Sequence, residues 1–372
     1  ALLSLLWRRA LVRLRGFGFR RRDKHELVPK WRIHADVTWT AALGLGMVDN
    51  VRGTSFQAYH LLAALRLGDP GRVARALAAE GLFRGVQSQR ARAAAMGVLD
   101  RAEALAREVD DPHAIGFVQL GRGIVEHMSA RWEAARSHLE DAEHTLRTSC
   151  KGVFWEINTA QFFLITSAFW SGDFPSLRKI VPPALREAQA RGDVYALANL
   201  RALACPLLAL ADDEPAQGWS HIAESMSEWS QQGFHVQHLG ALLSQTLLSL
   251  YEGDGRAAYD RITRAWPNLE RSLLLRLELV RTYMSFFRGC SALAAAGDIG
   301  TSREHLRRAV QALEESGTLM YAAVAKRRLA DWLGGAEGES LRAHSAAWMQ
   351  EKGVVHPERL VRLLSIGIAE QS

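Results

Sequence analysis

The residue pair in this sequence with the clearest metal-ligand spacing is His235 and His238. The two histidines lie three residues apart on a predicted helix, so both rings could face one metal ion. A zinc site needs a third or fourth ligand, and no local spacing marks one. We therefore favour packing or helix-capping roles for both histidines, and we expect no metal site in this chain.

Two glycine motifs begin like dinucleotide-binding loops, Gly44-Leu45-Gly46 and Gly121-Arg122-Gly123. Each is followed by an acid, Asp49 or Glu126, where the third glycine belongs, and neither follows a predicted strand. The sequence also lacks a phosphate-binding P-loop, kinase catalytic motifs, a Gly-x-Ser-x-Gly elbow and an HExxH helix. We assign no catalytic and no cofactor-binding residue, although a site assembled from distant helices stays open.

Two further motifs have simpler explanations. Residues 15–19 (RGFGF) match the first half of an aromatic RNA-binding signature that belongs to a four-stranded sheet. The match fails at residues 20–22, which are all arginine, and no strands are predicted nearby, so we favour an arginine-rich linker. Arg191-Gly192-Asp193 spells an integrin-type tripeptide, but it coincides with a predicted helix C-cap.

Composition points to a folded protein. The 372 residues are 48% hydrophobic and 23% charged, which permits a large core and excludes wholesale disorder. Three widely separated cysteines, Cys150, Cys205 and Cys290, form neither a disulfide framework nor a zinc site by themselves. This pattern favours a reducing cytoplasm.

The net charge of +6 is concentrated at the start of the sequence. Residues 1–34 contain ten Lys or Arg and two acids, whereas the remainder carries a net charge of −2. A nearly neutral body argues against nucleic acid as the partner. The apolar stretch at residues 1–7 is too short to span a bilayer and precedes its positive charges, so we expect neither a signal peptide nor a membrane anchor. The less favoured alternative is the end of a membrane span that was cut off by truncation. The sequence opens without Met, and we expect a fragment of a longer chain.

From about Val37 onward the pattern is helical. Apolar residues recur at steps of three and four, as in Leu306, Val310 and Leu313. The aromatic stretch Phe154 to Trp170 could be a strand by composition, but its length predicts a buried helix. Gly-Asp pairs predict helix-to-helix turns, with Gly as the left-handed cap and Asp as the next N-cap. These pairs begin at Gly68, Gly172, Gly192, Gly253 and Gly297.

The proline positions agree with this pattern. Five prolines are predicted near helix starts, whereas Pro182-Pro183 and Pro206 fall inside apolar stretches and should kink or split their helices. The five are Pro70, Pro112, Pro175, Pro215 and Pro357.

The spacing of the predicted hairpins indicates a repeat. Trp132 opens the second helix of one hairpin, Phe174 opens the equivalent helix 42 residues later, and Trp219 opens the next one a further 45 residues along. Hairpins repeating at this spacing bury their apolar faces by stacking, so we predict an all-α fold, an α-solenoid of tetratricopeptide-like hairpins. We divide the chain into a basic connector, residues 1–34, and a helical-repeat array, residues 35–372.

Several stretches of the chain resemble the C-terminal region of large bacterial serine/threonine protein kinases. In this myxobacterial and planctomycete family a kinase domain is followed by an AAA-type ATPase module and a long tetratricopeptide-like tail. The stretches are Gly44 to Leu67, Gly152 to Glu156, Arg191 to Ala196, Leu250 to Asp254, Trp266 to Arg276 and Trp348 to Arg359.

The resemblance implies that ATP and Mg belong to modules upstream of this chain, and that no catalytic residue carries over. The chain would be a non-catalytic regulatory tail that binds a protein or peptide, or the parent's own kinase and ATPase domains, through a helical groove. The partner-binding residues stay unassigned. The alternatives are the tail of a signal-transducing ATPase transcriptional regulator, which binds a small inducer or DNA-bound partners, and a free-standing adaptor.

Overall fold

The protein is built of α-helices throughout its described part. The computed structural model describes residues 2–171, 173–295, 299–315 and 319–351, together with Pro357 and Val361. No β-strand occurs within these residues, which confirms the predicted all-α fold. The chain divides into two compact units, residues 1–172 and 173–372.

The helices of the first unit are connected by short turns except between the first two. They are α1 (Leu2–Arg15), α2 (Pro29–Val48), α3 (Asn50–Leu67), α4 (Pro70–Gly85), α5 (Arg92–Glu108), α6 (Pro112–Met128), α7 (Trp132–Ser149) and α8 (Phe154–Ser171). The aromatic stretch that was ambiguous in the sequence is α8, and the prediction of a helix there is confirmed.

The second unit contains the remaining helices. They are α9 (Phe174–Arg191), α10 (Val194–Asn199), α11 (Cys205–Ala211), α12 (Pro215–Glu228), α13 (Val236–Tyr251), α14 (Gly255–Arg271), α15 (Glu278–Ala294), α16 (Ile299–Glu315), α17 (Leu319–Leu333) and α18 (Gly335–Glu351). A π-helical turn, Leu200–Ala204, joins α10 to α11.

Helices that are neighbours along the chain pack side by side. In the first unit α2 packs on α3, α4 on α5 and α6 on α7; in the second, α15 packs on α16 and α17 on α18. The shared faces are apolar, and Leu61, Leu77, Leu99 and Leu139 have no exposed surface. A single helix cannot bury such a face, so adjacent pairs are the unit of packing.

The predicted Gly-Asp turns are present wherever both residues are described. Gly68 ends α3 with φ +80°, and the Asp69 carboxylate accepts the Arg72 amide at 2.9 Å to begin α4. Gly192 and Asp193 end α9 and begin α10 in the same way, which confirms the helix-cap interpretation of the Arg-Gly-Asp tripeptide. Gly253-Asp254 repeats the arrangement. Gly172 and Gly297-Asp298 lie outside the described residues.

The prolines follow the predictions in part. Pro70, Pro112, Pro175 and Pro215 stand in the first turn of α4, α6, α9 and α12, where the missing N–H has no helical partner to lose. The helix start expected near Pro357 falls among residues that are largely outside the described part.

The two interior proline sites differ from each other. The prediction there was a kink or a split, and helix α9 continues through Pro182 and Pro183, so it is not split. The preceding turn, at Arg178 and Lys179, is exposed, so its carbonyls can be hydrated in place of the lost bonds. Pro206 is the second residue of α11, just after the π-helical turn that separates α10 from α11, as predicted for a proline that interrupts helix register.

The hairpin starts agree with the predicted spacing except in one case. Trp132 and Phe174 are the first residues of α7 and α9. Helix α12 begins earlier than predicted, at Pro215, and Trp219 lies in its second turn. The fixed φ of Pro215 favours a helix start at that residue. Trp219 lies on the packed face of the helix and does not begin it.

Residues 1–34 are part of the first unit. The predicted 34/35 division falls inside α2, which begins at Pro29. Arg9 bonds to Glu80 of α4, and Arg21 pairs with Glu108 of α5. The arginines that make this segment basic are therefore partly matched by acids from later helices.

One described stretch, Val194–Ala211, is long and apolar enough to cross a membrane by length and composition alone. Of this stretch, 67% is buried inside the protein. A core helix passes the same test, so the stretch is weak evidence for a membrane span.

His127 makes the stability of the fold depend on pH. Its ring is buried between Trp132 and Phe163, its Nδ1 lies 2.8 Å from the Ser167 hydroxyl, and burial lowers its pKa to about 3. The unfolded histidine, with a pKa near 6.5, binds a proton between these two values and the folded one does not. Stability should therefore fall as the pH drops below about 6.5.

We expect His127→Gln to flatten this dependence. The free energy of unfolding of the wild type should lose about 1.4 kcal/mol per pH unit through this one group between pH 6 and pH 4. Urea denaturation at several pH values measures the slope for both proteins. Equal slopes for wild type and variant would contradict the role of His127, whatever the stability of the variant at pH 7.

Candidate functional site

The structure gives both members of the histidine pair a capping role. His235 is the N-cap of α13, and its backbone amide donates to Nδ1 of His238 at 3.0 Å. Nδ1 of His235 accepts from the Trp229 indole at 3.2 Å. These contacts confirm the capping interpretation. Among the described residues no group of three or more His, Cys, Asp or Glu is placed to hold a metal ion.

The glycine motifs and the aromatic motif lie on helices and a packed turn. Gly44-Leu45-Gly46 is inside α2 and Gly121-Arg122-Gly123 inside α6, so neither is a phosphate-binding loop. Gly16 ends α1 with φ +67°, and the Phe17 ring stacks under the Arg84 guanidinium. The stretch at residues 15–19 contains no strand and serves as a helix end.

Two concave regions of the first unit could bind a partner. The smaller is a cavity of about 580 Å³ between α2, the start of α6 and the loop that joins α7 to α8. Its walls combine indole rings with polar groups. The lining includes Trp39, Asp111, His113, Cys150, Lys151, Trp155 and Glu156.

The polar groups of this cavity form a chain of hydrogen bonds. Arg75 Nη1 lies 3.3 Å from Nδ1 of His113, and Nε2 of His113 lies 3.0 Å from Oε1 of Glu156. Arginine has only donors, so Nδ1 accepts and Nε2 carries the proton that is donated to Glu156. Both ring nitrogens of His113 are therefore committed, and neither offers a lone pair to a substrate.

Cys150 is no better placed for catalysis. Burial raises the pKa of its thiol, and the carboxylates of Asp111 and Glu156 raise it further. A catalytic cysteine needs the opposite environment, because the thiolate is the nucleophile. Asp111 is itself occupied as the N-cap of α6, where it accepts the Ala114 amide. The cavity can hold a small molecule, and among its described lining residues Cys150 is not activated and His113 has no uncommitted ring nitrogen.

The larger concave region, of about 870 Å³, lies over α3 and is called here the α3 groove. Side chains at helical spacing on α3 form its floor, α2 supplies one wall, and the chain between α1 and α2 supplies the other. It is lined by Arg15, Arg22, Glu26, Val28, Trp31, His34, Tyr59, Leu62, Ala63, Arg66 and Leu67.

The aromatic wall of the groove is held by ring contacts. His34 packs edge-on against Tyr59 at 5.2 Å and against Trp31 at 5.8 Å. The Arg66 guanidinium lies over the Trp31 ring at 5.2 Å, while both side chains remain exposed. Stacked in this way, the guanidinium keeps its donors for a carboxylate or another acceptor.

Two other arginines of the groove are tied to the end of α3. Arg22 donates to the carbonyls of Arg66 and Leu67 at 3.0 and 3.1 Å, and Arg15 donates to the Leu65 carbonyl at 3.4 Å. Positive charge at a helix C-terminus is favourable because the last carbonyls are unpaired and point outward. The groove thus combines an apolar floor with three arginines and one acid, Glu26.

Sequence reasoning missed the α3 groove because it treated residues 1–34 as a connector. The available signal was local: Tyr59, Leu62, Ala63 and Arg66 share one face of a helix. Their meeting with Trp31 depends on the packing of α2 against α3, which no spacing within one helix reveals.

No protein-family model matches this chain, and no curated protein sequence matches it either.

Proposed function

We propose that this chain is a non-catalytic interaction module, a tetratricopeptide-like helical array that serves as the regulatory tail of a bacterial serine/threonine protein kinase with an AAA-type ATPase module. It works in the cytoplasm. The observation that carries the proposal is the α3 groove, which joins an aromatic wall, exposed at Trp31, to the exposed Arg66 guanidinium that lies over that ring. Concave helical surfaces of this kind take protein segments.

The charge of the groove selects the partner. Arg15, Arg22 and Arg66 outnumber Glu26, so the groove favours a segment that carries carboxylates beside an apolar anchor. The anchor contacts Trp31 and Tyr59, and a carboxylate reaches Arg66. The partner that we propose is an acidic segment of the parent protein's own kinase or ATPase domains.

The family resemblance supports the same assignment. One of the stretches that carries it, Gly44 to Leu67, contains the whole of α3 and therefore the floor of the groove. ATP and Mg are cofactors of the proposed upstream modules, and no residue of this chain is assigned to them.

The cavity beside His113 favours a second candidate function. Its volume and its two indole rings suit a small molecule with a planar apolar part. That use fits the tail of a signal-transducing ATPase regulator that senses an inducer. A thermal-shift screen of small metabolites against wild type and Trp155→Ala separates this function from protein binding.

A charge reversal in the groove tests the proposal. Arg66→Glu should weaken binding of the purified upstream domains by about tenfold or more, because it places a carboxylate opposite those of the partner. Arg52→Glu is the matched control, since Arg52 is also an exposed arginine of α3 but lies outside the groove. Isothermal titration calorimetry measures both affinities.

Two results would contradict the proposed function. One is equal weakening, or no weakening, in the two variants, which would remove the groove from the interface. The other is ATP hydrolysis by the purified chain, which would show that it is an enzyme. The second measurement needs no knowledge of the partner.

A further inference from the structure

Helix α1 presents large apolar side chains to solvent. Leu3 is 84% exposed, Trp7 65% and Leu14 85%. Steps of three and four residues along a helix bring them to one side, together with three other exposed residues. We call this surface the α1 stripe, and its members are Leu2, Leu3, Leu6, Trp7, Ala10 and Leu14. A continuous apolar surface on a folded protein marks a binding site for a protein or a membrane.

The other side of α1 is fixed to the first unit. Val12 is buried there, and both terminal nitrogens of Arg9 donate to the carboxylate of Glu80 at 2.8 Å each. Arg8 donates to the backbone and hydroxyl oxygens of Ser55 at 3.1 Å. Helix α1 is therefore formed and oriented before a partner arrives, so binding at the stripe need not order the helix first.

Arg13 lies at the edge of the stripe, one helical turn beyond Ala10. It is exposed, and it makes no hydrogen bond or ion pair with the described residues. Its aliphatic stem can follow the apolar surface while the guanidinium reaches past it. Arginines take this position where an apolar layer meets anionic groups.

Positive charge continues from the end of the stripe into the turn that follows. Residues 8–22 contain seven arginines and no acid. Two of the seven meet a carboxylate, Arg9 at Glu80 and Arg21 at the exposed Glu108. The other five have no acidic partner among the described residues, and they are Arg8, Arg13, Arg15, Arg20 and Arg22. Hydrogen bonds from three of them to neutral oxygens leave their charge in place. This end of α1 therefore carries a net positive charge.

We propose that the α1 stripe docks the protein on an anionic lipid bilayer, with α1 lying in the plane of the interface. Leucine and tryptophan enter the boundary between headgroups and acyl chains, and arginines at their edge bind lipid phosphates. The described helix has 14 residues, fewer than the about 20 that cross a bilayer, so the attachment is peripheral. This inference goes beyond the proposed function, because it needs neither the kinase nor the ATPase module.

Charge distinguishes lipid from a second copy of this chain. Residues 1–22 contain no acid, so two α1 helices packed stripe to stripe would bring arginines together without a carboxylate between them. An anionic bilayer offers many phosphates at once, and each arginine near its surface adds to the binding. A separate acidic protein would meet the same charges, but it is absent when the purified chain is mixed with pure lipid.

Vesicle flotation with the purified 372-residue chain tests the inference. One set of vesicles is equimolar phosphatidylglycerol and phosphatidylcholine, and the other is phosphatidylcholine alone. We expect the wild type to float with the anionic vesicles, with a partition coefficient at least about tenfold higher than with the neutral vesicles. Added salt should lower the binding to the anionic vesicles.

A double substitution removes the apolar contact. Leu3→Gln with Trp7→Gln should lower the partition coefficient for anionic vesicles by about tenfold or more, because two large side chains no longer enter the interface. Both positions are exposed and glutamine favours the helix, so the thermal midpoint should stay at the wild-type value. Val109→Gln with Phe154→Gln is the matched control at exposed apolar positions of the same unit, and it should bind like the wild type.

A single substitution removes one charge. Arg13→Gln should lower binding to the anionic vesicles about fivefold and leave binding to the neutral ones unchanged. The control is Arg256→Gln, at an exposed arginine of α14, which should bind like the wild type.

Three results would overturn the inference: no flotation of the wild type with anionic vesicles, equal flotation with both kinds of vesicle, or unchanged flotation of the Leu3 and Trp7 double variant. A wild-type dimer in sedimentation velocity that the double variant loses, without vesicle binding, would assign the stripe to a second copy instead. These outcomes leave the proposed function untouched, because binding of the upstream domains at the α3 groove is measured separately through Arg66→Glu.

Discussion

Replacement of Glu80 by alanine is expected to lower the free energy of unfolding of the first unit by about 3 kcal/mol. The Glu80 carboxylate is fully buried and accepts from Arg9, from Gln57 at 3.2 Å and from Arg84 at 2.7 Å. Its loss leaves two partly buried guanidinium groups without their anion and frees α1 from α4. Urea denaturation followed by circular dichroism measures the change.

The matched control for this prediction is Glu108→Ala. Glu108 also pairs with an arginine of the N-terminal segment, Arg21, but both side chains are about half exposed. Exposed pairs contribute little because water solvates the charges when the pair is broken. A loss of stability at Glu108 as large as that at Glu80 would show that burial does not decide the strength of these pairs. The rate of backbone amide hydrogen exchange in α1 should rise in Glu80→Ala and not in Glu108→Ala.

A methyl group added at Gly123 should destabilise the first unit by about 1–3 kcal/mol. A Cβ atom there would lie 2.5 Å from Cγ and 2.7 Å from Cδ2 of Leu139, where α6 crosses α7. Leu139 is fully buried in a close-packed interior, so its side chain cannot swing out into solvent. Gly123→Ala therefore forces the two helices apart. Thermal and urea unfolding both measure the resulting loss of stability.

A glycine-to-alanine substitution at Gly97 should instead raise the free energy of unfolding. Gly97 lies inside α5 on the exposed side, and a Cβ atom there meets nothing within 4 Å. Alanine restricts the unfolded chain and favours the helix, so Gly97→Ala should stabilise by about 0.5–1 kcal/mol. If the two substitutions changed the free energy of unfolding in the same direction, the close-packing explanation for Gly123 would be contradicted.

The helix starts and ends were predictable from sequence because their causes are local. Gly68 and Asp69 act through the left-handed φ of one residue and a bond to an amide three residues away. The identification of α8 used only length and apolar content. The sequence offered two start signals for α12, Pro215 and Trp219, and the helix begins at Pro215 because proline is the stronger start signal.

The candidate site was harder to predict from the sequence than the helix boundaries. Trp31 and Arg66 both stand in the sequence, but their stacking requires α2 and α3 to pack in one register. The cavity beside His113 likewise draws on Trp39 and Glu156, which are far apart along the chain. Motif searches concentrate on short spacings, so they found the His235 pair, which caps a helix, and passed over the groove.

By itself the sequence determined that this protein is helical, where most of its helices begin, and that its first segment is rich in arginine. Those properties follow from backbone propensity and from bonds that span about four residues. Only the tertiary structure decided which faces are buried. The bond between Arg9 and Glu80 joins residues 71 positions apart, and it turns Arg9 inward on a helix whose Leu3 and Leu14 are exposed. No local pattern encodes that choice, because burying a carboxylate needs its partner to arrive from elsewhere in the chain.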